Sequence, residues 1–286
     1  MKPDFRVTTD DGVSLGVKTT ESMGPARGSV LLLHAMMVDA RSLDRPPGAG
    51  LASTLAGAGF HVHRADFRGR GMSRGPEDWT YDDLVYRDVP ALVRAVAERD
   101  GWPPFVVGHS LGGHVTAASW GQGRCDLAGL VGIAANVWMP SLEPSRRRRW
   151  AKGAGMAAAR VSLRMFGGLA AKRIGMGPVD EAPGYGRDIV RYWRSDRWTD
   201  RAGVDWLAGL STVDGPMLAV VSDGDALLAH PVGAIRWARH IRDCTVWRVA
   251  DGAHGMLSPP GHMGLAIDPV STGLWKDIAA WMLERT

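Results

Sequence analysis

The residues of this chain best suited to chemistry are a serine set between glycines, Gly108-His109-Ser110-Leu111-Gly112, in the pattern G-x-S-x-G. The apolar run Phe105-Val106-Val107 enters the motif, and a segment of small and apolar residues beginning at Leu111 leaves it. That context predicts a strand, a sharp turn and a helix, an arrangement that pushes the serine hydroxyl out of the backbone where a substrate can meet it. Glycine on either side lets strand and helix approach closely. A serine so placed is suited to attack an acyl carbon once a base takes its proton.

Other common chemistries lack their residues. There is no H-E-x-x-H or C-x-x-C for zinc, and no G-x-G-x-x-G opens a helix after a strand as a dinucleotide site requires. None of the five lysines (Lys2, Lys18, Lys152, Lys172, Lys276) follows the glycine spacing of a phosphate-binding loop. The reading therefore expects no cofactor and no metal. Cys125 and Cys244 are the only cysteines, which excludes a disulfide scaffold.

Charge and length exclude further classes. The 286 residues carry 34 Lys and Arg against 30 Asp and Glu, a net charge of +4. The arginines are spread among acids rather than gathered into a stripe, so no nucleic-acid partner is expected. The run Arg146-Arg147-Arg148-Arg149 reads as the solvated face of a helix, with an acidic substrate or a membrane surface as the other reading. No stretch of apolar residues is long enough for a membrane span, and MKPDFRVTTDDG has no apolar signal region, so a cytoplasmic location is expected.

The elements that must position Ser110 alternate in type. Phe5–Thr9 and Val13–Thr19, joined by Asp11-Gly12, read as a hairpin. Ser29–His34, Phe60–Ala65, Phe105–Val107, Leu127–Val137, Met217–Val221 and Cys244–Val249 read as strands, the apolar runs among them as strands buried on both faces. Helices are expected around Leu51 and Leu55, from Leu84 to Val96, from Leu111, and through Leu274, Ile278 and Trp281. Such alternation predicts an α/β fold with a mostly parallel central sheet covered by helices on both faces. One interval, rich in Arg, Met, Trp and Gly, breaks it between Val137 and Pro216. It reads as a helical cap, which divides the chain into core (1–136), cap insertion (137–215) and core (216–286). Trp138, Trp150, Met156, Met165, Phe166 and Trp193 are expected to line an acyl pocket under it.

The chain resembles the α/β-hydrolases over nearly its whole length. Besides the serine motif, Leu31-Leu32-Leu33-His34-Ala35-Met36 resembles that family's strand followed by His-Gly-x, with Ala35 in place of the usual glycine. Asp66-Phe67-Arg68-Gly69-Arg70-Gly71-Met72-Ser73 resembles its D-x-R-G-x-G-x-S loop. Lys172-Arg173-Ile174-Gly175-Met176-Gly177 and Gly261-His262-Met263-Gly264 are similar to an uncharacterised bacterial subgroup of esterase-like members.

The resemblance implies a chain order of serine, acid, histidine. The acid follows a strand, and family register in Val220-Val221-Ser222-Asp223-Gly224-Asp225 favours Asp225, leaving Asp223 as a turn residue before Gly224. Asn136 occupies the other usual place of the acid and has no carboxylate. Two histidines compete for the base. His254 lies five residues beyond Val249, and His262 lies in the subgroup motif before the last helix; His262 is favoured and His254 is the alternative. Oxyanion donors are implied at the Leu111 and Met36 amides, with His34 supporting the loop and His109 shaping the turn. The reading that results is a serine hydrolase acting through an acyl-enzyme on a carboxylic ester, a small molecule with an apolar acyl group. An acyltransferase, a thioesterase or amidase, or a cofactor-free perhydrolase would use the same triad. A non-catalytic binding protein using the cap cleft is the alternative of another class.

Overall fold

The computed structural model describes residues 1–173 and 175–286. Eight strands form one sheet: β1 (Phe5–Thr8), β2 (Ser14–Thr20), β3 (Gly28–Leu33), β4 (Phe60–Ala65), β5 (Phe105–His109), β6 (Gly129–Ile133), β7 (Met217–Ser222) and β8 (Cys244–Val249). Their order is β1-β2-β4-β3-β5-β6-β7-β8, antiparallel at β1–β2 and β2–β4 and parallel from β4 to β8. This is the α/β-hydrolase fold; from the neighbouring strands β3 and β5 the chain runs toward opposite edges of the sheet, β3 to β4 and β5 to β6. A loop leaving the carboxyl end of β5 therefore opens into the crevice where α/β sheets gather their functional residues.

The alternation of side chains along each strand builds two cores. Leu31, Leu33, Val106, Leu130, Met217 and Ala219 point to one face, where Leu111, Val115, Trp206 and Trp237 cover them. Val30, Leu32, Phe105, Val107, Val131, Ile133, Leu218 and Val220 point to the other, against Leu274, Ile278 and Trp281. Burial on both faces explains why these strands read as continuous apolar runs. The covering helices are α1 (Leu51–Gly57), α2 (Val89–Asp100), α3 (Leu111–Gly121), α6 (Pro231–Ala238) and α7 (Thr272–Leu283). Two further helices, α4 (Arg146–Phe166) and α5 (Pro183–Ser195), belong to the insertion between β6 and β7. Strand β6 ends at Ile133, four residues earlier than its apolar pattern suggests, because Ala134 turns into the left-handed region at φ 50°. No helix among the described residues is long and apolar enough to cross a membrane.

Candidate active site

Ser110 sits between β5 and α3 at φ 51° and ψ −108°, a conformation that a non-glycine residue keeps only where its surroundings over-determine it. Here its N–H donates to the Ile133 carbonyl at 2.8 Å, and its carbonyl accepts from Gly113 and His114 at 3.0 and 3.2 Å. The flanking glycines are a steric requirement. A Cβ at Gly108 would lie 2.3 Å from the Gly113 nitrogen, and one at Gly112 would lie 2.4 Å from the Leu33 carbonyl oxygen. The tight turn thus lifts Ser110 to a partly exposed position while both of its neighbours are buried.

Across the crevice, Asp225 and His262 meet. His262 Nδ1 lies 2.6 Å from Asp225 Oδ2, a pairing that leaves Nε2 as the free ring atom. The carboxylate also accepts from the Leu228 and Ala229 amides, each at 2.9 Å. Burial acts to raise the Asp225 pKa, but the His262 hydrogen bond and charge, with the backbone donors, hold it below its ordinary value.

The path that brings His262 back is held by two prolines. Ser222 Oγ donates to the Pro260 carbonyl at 2.5 Å, and Gly224 lies so close that a Cβ there would be 2.2 Å from the Pro259 carbonyl oxygen. The loop of the acid and the loop of the histidine are therefore interlocked. His109, which precedes Ser110, completes the link. Its Nε2 donates to the His262 carbonyl at 3.1 Å, and the two rings lie 5.3 Å apart. Burial, then the nearby His262, pushes the His109 pKa down to about 3, so its ring is neutral. His114, one turn into α3, is likewise lowered to about 3 by burial and then by His262, and pairs with the Tyr81 hydroxyl at 2.6 Å.

The loop after β3 lies beside Ser110. His34 is fully buried and pushed down to about 3 by desolvation. It accepts the Phe67 N–H at Nε2 (3.3 Å), so Nδ1 carries the proton given to the Ala35 carbonyl at 2.7 Å. The His34 carbonyl in turn accepts from Gly112 at 3.2 Å, which ties this loop to the serine turn. Asp66 pins the neighbouring loop, accepting from Ala40 and Met72 at 2.6 and 2.7 Å. Gly71 is obligatory there, since a Cβ would lie 2.2 Å from Asp66 Oδ2.

One residue escaped the sequence reading altogether. Glu181 is fully buried, pairs with Arg70 and accepts the Met37 N–H. The Val179 N–H donates back to the Met37 carbonyl at 3.2 Å, and Gly177 fits because a Cβ would lie 2.5 Å from that oxygen. The insertion is thereby fastened to the loop after β3, leaving the Met36 amide without a protein acceptor among the described residues. The signal available in sequence was Asp180-Glu181 ending a stretch without acids that begins at Pro144.

The remaining candidates fall elsewhere. His254 meets Asp277 on α7, and Asp223 forms a surface pair with Arg248 at 2.7 Å. Asn136 is buried and bonds only weakly to the Leu228 carbonyl, at 3.5 Å. Of the expected pocket residues, Trp138 stays close, donating Nε1 to the Leu228 carbonyl at 2.8 Å, and Met156 is buried. Trp150, Met165 and Phe166 are exposed, so they do not wall a buried pocket as expected. Of Lys172–Gly177, Ile174 lies outside the described residues.

With fold and site in place, the comparisons with known proteins assign the family. The family model described as "Serine aminopeptidase, S33" matches residues 24–180, and the chain belongs to this family of α/β-hydrolases. Triacylglycerol lipase 2 of Arabidopsis thaliana is 30% identical over 135 residues, 41% of this chain but only 32% of that protein. Among solved structures, a soluble variant of monoglyceride lipase from Saccharomyces cerevisiae superposes with a TM-score of 0.70 at 16% identity, covering 100% of this chain and 96% of that one. A monoacylglycerol lipase from Paleococcus ferrophilus superposes with a TM-score of 0.64 at 19% identity, covering 95% and 99%.

Proposed function

We propose that this protein is a serine hydrolase that cleaves a carboxylic ester with an apolar acyl group. Ser110 Oγ attacks the acyl carbon as His262 Nε2 takes its proton. Asp225 holds the ring with Nδ1 protonated and stabilises the imidazolium that forms. The amides of Leu111 and Met36 receive the oxyanion. Collapse of the tetrahedral intermediate expels the alcohol, which takes its proton from His262, and water then hydrolyses the acyl-enzyme by the same route.

The observation that carries this reading is the 2.6 Å pair of His262 and buried Asp225, locked to His109, the residue that precedes a serine at positive φ. An apolar acyl group is favoured by the cluster of Met37, Leu169 and Ala171 with Met36, Ala159, Leu163 and Ile189, which joins the oxyanion loop to the insertion. We take residues 137–215 as the cap over this cluster. The relatives named as lipases agree with an ester substrate. An aminopeptidase would need an unpaired carboxylate for the substrate's ammonium group. Glu143 is instead paired with Arg148 and Lys152, and Glu181 with Arg70.

The test is turnover of p-nitrophenyl esters of graded acyl length beside an aminoacyl p-nitroanilide, with a fluorophosphonate label mapped by mass spectrometry. Ester turnover with the label on Ser110 is expected. Preferred cleavage of the anilide, or no label on Ser110, would contradict the proposal.

A further inference from the structure

The outer face of the insertion takes no part in the site. Helix α4 turns Lys152, Met156, Ala159 and Leu163 inward: the first two are buried, and the others pack with Met37 and Leu169. Helical spacing then puts Trp150, Ala154, Ala157, Val161 and Met165 on the opposite face. All five are exposed, Trp150 at 78% and Met165 at 68%. A row of exposed apolar side chains on one helix face calls for a partner.

Within the segment that carries that row the charge has a single sign. From Pro144 to Val179 there is no Asp or Glu, while Arg146, Arg147, Arg148, Arg149, Lys152, Arg160, Arg164, Lys172 and Arg173 are all cationic. On one flank α5 brings Arg187, Arg191 and Arg194 against Arg160 and Arg164, and the five arginines line a groove of about 620 Å³ floored by Leu163 and Val190. Arg187 is paired with Asp78, and Arg191 is held by Thr199, Asp200 and Asp188. Among the described residues, Arg160, Arg164 and Arg194 have no carboxylate partner.

We propose that this outer face docks on the surface of an anionic phospholipid bilayer. Headgroup phosphates occupy the arginine groove, and Trp150, Val161 and Met165 enter the boundary between headgroups and acyl chains. Charge complementarity selects an anionic partner, and the apolar row beside the cations selects a lipid surface over a soluble polyanion such as RNA, which would leave that row in water. Leu163 is shared with the apolar cluster beneath the insertion, but none of the arginines and none of Trp150, Val161 and Met165 belongs to the candidate active site, so the proposal stands apart from the hydrolase reading.

The experiment is co-sedimentation of the full chain with vesicles of phosphatidylcholine alone and of phosphatidylcholine with phosphatidylglycerol, at low and high salt, with poly(U) RNA as a competitor. Two variants, R160Q/R164Q/R194Q and W150S/M165S, are compared after thermal unfolding shows that each is folded. Anionic vesicles are expected to bind at least about tenfold tighter than neutral ones, and less tightly as salt rises. The arginine variant should weaken binding about a hundredfold and the apolar variant about tenfold, with turnover of a soluble short-chain ester unchanged. No vesicle binding, equal binding to neutral vesicles, or loss in only one of the two variants would overturn the proposal. So would displacement by RNA that depends on the arginines alone.

Discussion

Two histidine–aspartate pairs lie near the carboxyl-terminal end of the chain, and both close at 2.6 Å from Nδ1 to Oδ2. They differ in everything else. Asp225 is almost wholly buried, bonded by two amides and set on a loop that grips the loop of its partner. Asp277 is 52% exposed on α7, and His254 packs against Trp247 on a turn where its own φ is 52°. A short contact between two side chains is common to surface pairs and to paired groups of a working site. What distinguishes them is that the surroundings of Asp225 and His262 tie both partners to the turn of Ser110, the proposed nucleophile.

That contrast can be sharpened by substitution. Ser110→Ala removes the proposed nucleophile and is expected to lower kcat for the best ester by about 10⁴-fold or more, with the circular dichroism spectrum unchanged. Asp225→Asn keeps the shape but loses the tautomer control, and kcat should fall about 10³–10⁴-fold with KM little changed. Gly224→Ala attacks the interlock alone. Its Cβ would lie 2.2 Å from a proline carbonyl, so the His262 loop must shift. A displacement of about an ångström is expected to cost about 10²-fold in kcat while His262 and Asp225 are both still present. Asp277→Asn should change kcat/KM by less than about twofold and unfolding free energy by no more than about 1 kcal/mol, measured by urea titration. A large loss there would break the distinction between the two pairs.

Much of this arrangement is legible in the residues themselves. The parallel strands show as continuous apolar runs because both faces are buried, and the serine turn shows because Gly108 and Gly112 answer a local steric demand. Features set by the path of the chain in space are not legible in that way. Which histidine reaches Asp225 depends on the Pro259 and Pro260 carbonyls seating on Ser222 and Gly224, a contact between segments far apart in sequence. The Arg70–Glu181 pair is hidden for the same reason. The outward turn of Trp150 and Met165 is hidden for a different one. Helix α4 carries apolar residues on two faces, and periodicity alone does not tell which face finds the core. The helical segment expected from Leu84 in fact begins at Tyr81 and passes through a π-helical stretch, Leu84–Asp88, before α2, an irregularity with no periodic signature.

The most direct test of the central claim is kcat/KM for His262→Ala and His254→Ala on the same ester, each checked for folding by circular dichroism. His262→Ala is expected to fall nearly as far as Ser110→Ala, by about 10³-fold or more, while His254→Ala stays within about threefold of the unaltered protein. An inactive His254→Ala beside an active His262→Ala would contradict that claim and move the base to the exposed pair.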